Sequence, residues 1–201
     1  MFLKTFSVVM VLVSMSVFPT PVSRQALLLD SESKANNASC SIDILPPAVR
    51  HQLVTEYSSW EIQDMLNLSA SARRSWESNK AGKPSMCPGI ATGAFESASE
   101  AYAVLLVPRG RPERAHRFLV FSPRDGRAGF QLTTIEAFDD GGAQNLFIRS
   151  VRISDLFNIT ARKKLGITAN EGVVIVESGK KESWTDVFFW TKHGYRREAT
   201  E

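Results

Sequence analysis

Apolar and polar positions follow two different rhythms along this chain. In PPAVRHQLVTEYSSW (46–60), Val49, Leu53, Tyr57 and Trp60 recur at spacings of four, four and three. That spacing draws one apolar stripe down a helix. A proline pair opens it, which a first turn tolerates. A second helix is predicted over SASARRSWESN (69–79), begun by a serine cap and turning Trp76 inward. The run KAGKPSMCPG (80–89) ends it, because Gly and Pro there do not extend a helix.

Beyond Phe95 the rhythm shortens. YAVLLV (102–107), RFLVFS (117–122), FQLTTIEAF (130–138), LFIRSVRI (146–153), GVVIVE (172–177) and DVFFWT (186–191) are short runs rich in β-branched and aromatic residues. Turn chemistry separates most of them, in RGRPE, PRDGRAG, DDGGAQN, ESGKKES and KHG. Such short links favour antiparallel neighbours, since a parallel crossover needs a dozen residues or more. The 154–171 link is the exception, long enough for a short helix or a wrap over the sheet. The expected fold is therefore α+β: two N-terminal helices packed on an antiparallel β-meander of about six strands, with the helices covering one face. No internal repeat recurs at a fixed period.

The chain opens differently. Lys4 precedes FSVVMVLVSMSVF (6–18), a 13-residue stretch without a charge, followed by prolines and small residues. This matches a signal peptide and falls short of the roughly 20 residues of a spanning helix. The layout read from the sequence is a signal peptide at 1–23 (cleavage between 18 and 26), a polar linker at 24–45 and one α+β domain at 46–201. A retained N-terminal anchor is the alternative. NASC (37–40) lacks the aliphatic residue of a lipobox. The expected location is secreted or periplasmic, with no membrane contact after cleavage.

Composition adds limits. With 201 residues, 43% hydrophobic content, 12 Phe and 4 Trp, the chain can bury a sizeable core. Its pI near 9.0 accompanies a net charge of only +3, with basic residues scattered rather than massed. No nucleic-acid signature accompanies them, so nucleic acid is not an expected partner. In an oxidising compartment Cys40 and Cys87 are expected to pair. Two separate buried thiols are the alternative.

GAFESASEAYAVLLV (93–107) resembles the FG-GAP and VCBS-type modules, in which an aspartate- and glycine-rich turn runs into an apolar strand. With CPG before it and EGVVIVESGKKESWTDVFFWTKHGYRRE (171–198) after it, the chain is similar to exported bacterial proteins carrying one such unit. The resemblance covers about 50 positions and implies a calcium-binding turn. Gly93, Phe95, Tyr102 and Ala103 match the motif, but Ala94 and Ala98 stand where it has carboxylate ligands, and Ser97 and Ser99 where it has glycines. Glu96 and Glu100 alone keep carboxylates, too few for six to eight oxygens. No metal is expected here, and no cofactor fingerprint occurs elsewhere. In a bacterial setting the sequons at Asn37, Asn67 and Asn158 carry no meaning.

Candidate chemistry is sparse. His51, His116 and His193 are expected to face solvent, on a helix, in a basic loop and at a hairpin tip. There is no metalloprotease, nucleophile-elbow, Walker or dinucleotide motif. Asp139 and Asp140 before Gly141-Gly142 are expected to form a hairpin turn. No catalytic residue is singled out. One cluster is kept as a binding candidate: Trp184, Phe188, Trp190, Tyr195, Arg196 and Arg197. Adjacent Phe188 and Phe189 point to opposite faces, so one leaves the main core unless it is covered. With Lys180, Lys181 and Lys192 nearby, such a surface suits a glycan, an acidic wall polymer or a protein partner. The expected function is a non-catalytic exported module that binds or scaffolds an extracytoplasmic protein or polymer. The alternative is a hydrolase of envelope polymers, which would need a concave site holding a histidine or carboxylate.

Overall fold

Several strands carry apolar residues at every position, and such a strand must bury both of its faces. The computed structural model describes residues 40–79, 87–124, 126, 128–139, 141–179 and 183–200. It meets that demand with four layers: helix, sheet, sheet, helices. The chain runs through a 3-10 turn (Ile42–Ile44), α1 (Pro47–Glu56), β1 (Trp60–Ile62), α2 (Ala70–Asn79), β2 (Ile90–Gly93), β3 (Ala101–Pro108), β4 (His116–Pro123) and β5 (Phe130–Phe138). A second 3-10 turn (Ala143–Asn145) leads to β6 (Leu146–Arg152), α3 (Ile153–Leu156), α4 (Ile159–Leu165), β7 (Glu171–Ser178), β8 (Ser183–Thr191) and β9 (Gly194–Thr200).

The fold is α+β and its pairing is antiparallel, but the expected six-strand meander divides. Nine strands form two sheets among the described residues. In the first, β3, β4 and β5 lie side by side, and β1 and β2 share the free edge of β3 end to end. In the second, β6, β7, β8 and β9 form an antiparallel row, with α3 and α4 in the link between β6 and β7. The split falls at the expected Asp139–Asp140 hairpin. Gly141 and Gly142 do take positive φ (78° and 83°). However, the Gly141 amide donates to the Arg114 carbonyl and the 3-10 turn follows, so the chain crosses to the second sheet instead of folding back. Asp140 lies outside the described residues.

Three cores fill the layers. Ala103, Leu105, Phe118 and Val120 of the first sheet meet Ile148, Val173, Ile175 and Phe188 of the second. The alternate residues Val104, Leu106, Leu119 and Phe121 pack under Leu45, Val49 and Leu53 of the 3-10 turn and α1. On the far side Phe147, Val174, Val187 and Phe189 lie beneath Ala72 and Trp76 of α2, with Ile153 and Leu165 from the 154–171 link. Helices thus cover both outer faces, not the one face expected. The Phe188–Phe189 pair explains why: each ring has its own core, and burying each contributes roughly 1.5–3 kcal/mol.

The predicted helices form, with one change at the boundary. Ser69 Oγ accepts from the Ala72 amide and caps α2. Helix α1 stops at Glu56, where Tyr57 leaves helical geometry (φ −125°), so Trp60 begins β1 rather than extending the helical stripe. The strands β1 and β2 were not expected, and β9 is the second arm of the hairpin expected at KHG. At the seam between β1 and β2, the Gln63 amide donates to the Leu105 carbonyl and the Leu105 amide to Gly89 (both 2.9 Å). A Cβ at Gly89 would fall 2.4 Å from the Gln63 carbonyl oxygen, so only glycine fits.

Cys40 and Cys87 form a disulfide across 47 residues of sequence. With Leu45 buried, residues 40–45 of the expected linker belong to the folded body. The signal segment and the rest of that linker lie outside the described residues. No helix among the described residues is long and apolar enough to cross a membrane.

Candidate functional site

A recess rich in carboxylates opens between the two sheets, where β4 begins and β5 ends. It is a cleft of about 400 Å3. His116, Glu136 and Phe138 come from the first sheet, and Glu177, Asp186 and Arg197 from the second.

Strand parity places these side chains. His116 shares the inner face of β4 with Phe118 and Val120. On β5 the parity changes: Thr134 pairs with Leu119, but Glu136 pairs with Phe118, so Ile135 is an extra residue. This β-bulge turns Ile135, Glu136 and then Phe138 inward, where a regular strand would send Glu136 and Phe138 outward. In the second sheet Asp186 sits opposite Ile175, and Arg197 opposite Phe188, so both face inward as well.

A chain of charged groups results. Glu136 Oε1 accepts from Arg197 Nη1 at 3.1 Å, and Asp186 Oδ2 accepts from Arg197 Nη2 at 2.6 Å. The guanidinium spans the two sheets and also lies 5.9 Å from the Phe188 ring centre. Its pKa is pushed up, first by the Asp186 hydrogen bond and then by the charges of Asp186 and Glu136, with burial opposing. Glu136 Oε2 stands 3.6 Å from His116 Nε2, too far for a hydrogen bond. The His116 ring stacks on Phe138 at 5.1 Å. It is buried, and neither ring nitrogen reaches solvent or a hydrogen-bond partner.

His116 is therefore not the solvent-facing loop residue expected from the sequence. It is the first residue of β4, and the parity that buries Phe118 buries it too. His51 and His193 are exposed, as expected, and stand apart from the cleft.

The aromatic and basic cluster is resolved by the same parity. Trp184, Phe188, Trp190, Tyr195 and Arg197 all share the inner face of the second sheet, whereas Arg196 turns to the other face and pairs with Glu198 at 3.1 Å. Their accessibility differs. Phe188 is closed off in the inter-sheet core, its ring 5.3 Å from that of Phe118, and so is no surface group. Trp190 and Tyr195 meet edge to face at 5.0 Å and are half-buried. Trp184 is 64% exposed, directly across the strand pair from Glu177 at the cleft mouth. Lys180 and Lys181 lie outside the described residues.

The degenerate turn after β2 has a separate role. Glu100 accepts from the Tyr102 hydroxyl at 3.0 Å. Glu96 turns the other way, toward the Tyr195 hydroxyl, whose pKa is pushed far up by burial and next by the Glu96 charge. The two carboxylates diverge. Among the described residues no group of three or more His, Cys, Asp or Glu could hold a metal ion.

Glu136, Glu177 and Asp186 were missed by sequence reasoning. A signal existed for two of them: Asp186 has the parity of Phe188, and Glu177 that of Ile175, so polar groups on inward parity at strand ends mark the rim of a cleft. Glu136 carried no such signal, because its direction depends on the bulge.

Among the described residues the cleft presents three carboxylates against one guanidinium, flanked by two exposed aromatics, Phe138 (41%) and Trp184 (64%). It can accept hydroxyl and ammonium donors and stack an apolar ring face. Among its lining residues there is no serine, threonine, cysteine or lysine to serve as a nucleophile. Compared with protein-family models, curated proteins and solved structures, the chain matches none.

Proposed function

We propose that the protein is an exported, non-catalytic binding module whose inter-sheet cleft takes a glycan bearing hydroxyl and amino groups. One observation carries the reading: the exposed Trp184 ring stands across from Glu177 and on the same face as Asp186. A flat ring stacks on the apolar face of a sugar, while neighbouring carboxylates accept from its hydroxyl or ammonium groups. Among the described residues the excess of carboxylates over guanidinium disfavours an acidic polymer at this end. Export rests on the charge-free segment at 6–18 and on the disulfide, which persists in oxidising compartments. The likeness of 93–107 to FG-GAP-type turns supports an extracytoplasmic setting and lends no cation chemistry, since Glu96 and Glu100 diverge.

The test is titration with a glucosamine oligomer, read by Trp fluorescence. Saturable binding that Trp184→Ala weakens about tenfold supports the reading. No binding, or binding indifferent to Trp184→Ala and Glu177→Gln, refutes it.

A second reading, a hydrolase of envelope polymers, draws on His116 beside Glu136 in the same cleft. Acid–base work needs a ring nitrogen within hydrogen-bond reach of substrate or one water, and both nitrogens of His116 are closed off. Shortened oligomers in the same titration, absent in His116→Phe, would overturn the binding reading in favour of this one.

A further inference from the structure

At the other end of β8 and β9 the chemistry reverses. The hairpin tip and the last turn of α4 line a pocket of about 470 Å3, to which Lys163, Lys164, Lys192, His193 and Arg196 contribute. Among the described residues no carboxylate lines it. Lys163, Lys164 and Lys192 form no ion pair among the described residues. A helix C-terminus favours cations in its last turn, which accounts for Lys163 and Lys164. It does not account for Lys192, His193 and Arg196, which arrive from the hairpin.

We propose that this pocket docks a phosphodiester-bearing polyanion. Three physical arguments converge on that ligand. Arg196 is matched by Glu198, but Lys163, Lys164 and Lys192 gathered without counter-charge among the described residues repel one another, and an anion relieves the repulsion. The recess is far larger than one phosphate and its cations line it, so a chain carrying several charges engages more of them than a single ion does. Lysine point charges together with an arginine fork suit phosphate oxygens. The site shares no lining residue with the cleft and goes beyond the glycan reading. Exposed Leu156 (38%) and Ile159 (71%) lie on the same helical link, the feature an anionic membrane surface would use, so vesicles enter the test as the rival.

The experiment uses the disulfide-bonded chain, a glycerol-phosphate oligomer and phosphatidylglycerol vesicles. The oligomer binds, its affinity falls steadily with added salt, and Lys163→Glu with Lys192→Glu weakens it at least tenfold. Arg124→Glu, an exposed charge change away from the pocket, and Trp184→Ala each change affinity less than twofold. The variants carry substitutions at exposed positions, and unchanged near-UV circular dichroism verifies their fold. The proposal is overturned if the oligomer does not bind at low salt, if Arg124→Glu weakens it as much as the pocket pair, or if vesicles bind as tightly as the oligomer. Failure here with glucosamine binding intact leaves the cleft reading standing.

Discussion

The two ends of the β8–β9 hairpin are built from the same two strands and carry opposite chemistry. At one end Arg197 is held between Glu136 and Asp186, and its charge is more than matched by the surrounding carboxylates. At the other, Lys163, Lys164 and Lys192 form no ion pair among the described residues, in a recess with no acid among its described lining. On β9 the adjacent Arg196 and Arg197 line one site each, from opposite faces of the sheet. Along β8 Asp186 and Lys192 are about six residues apart, roughly 20 Å at the usual rise. The difference teaches that a net charge of +3 conceals a strong separation of charge. Composition alone suggests a diffusely basic surface; the strand register sorts the charges by end.

Four perturbations would break or sharpen this contrast. The largest acts on the frame that both ends share. Replacing Cys40 and Cys87 by alanine should cost about 4 kcal/mol on the chain-entropy model, seen as a lowered denaturation midpoint. Both binding activities should survive wherever the variant remains folded; loss of only one would mean that the disulfide shapes that site. Next in size is deletion of Ile135, which removes the bulge and a half-buried apolar side chain at about 2 kcal/mol or more. It leaves Glu136 opposite Phe118 and Phe138 opposite His116, so both still face the cleft. Any loss should be confined to glucosamine binding, through the missing Ile135 packing, while glycerol-phosphate binding persists. Equal loss of both would show that the ends are not independent.

A pH titration follows. Burial and Glu96 raise the Tyr195 pKa in the folded chain above its ordinary value near about 10. A group with a raised folded pKa lends stability that is fully present below the unfolded pKa and is lost as pH climbs through the alkaline range. Chemical denaturation at a series of pH values should show a decline starting near about pH 10, and Tyr195→Phe should flatten it. An identical alkaline limb in the variant would contradict the placement of that hydroxyl. The smallest expected effect on stability is that of Trp184→Ala, within about 0.5 kcal/mol because the ring is exposed. Its tenfold effect on glycan binding would then be a property of the cleft and not of folding.

Much of the frame was legible in the residues. The six apolar runs are all strands, the Ser69 cap and inward Trp76 stand as expected, and Cys40 and Cys87 are joined. What escaped was long-range. Strand runs do not say where one sheet ends and another begins, and DDGG looks alike as a hairpin or a crossover. Strands β1 and β2 carry too few residues to show an alternation, and both owe their place to the edge of β3. Of the candidate site, the aromatic face of β8 and β9 was visible because adjacent Phe188 and Phe189 must diverge. Its acidic partner was not, because a single extra residue, Ile135, decides which way Glu136 points.

Chemical-shift mapping with both probes on one labelled sample tests the central claim most directly. The account predicts that the glucosamine oligomer moves Trp184, Asp186 and Arg197, and that the glycerol-phosphate oligomer moves Gly166, Lys192 and His193. Neither set should respond to the other probe. Overlapping sets, or a single set that answers to both ligands, would contradict the sorting of charge along β8 and β9.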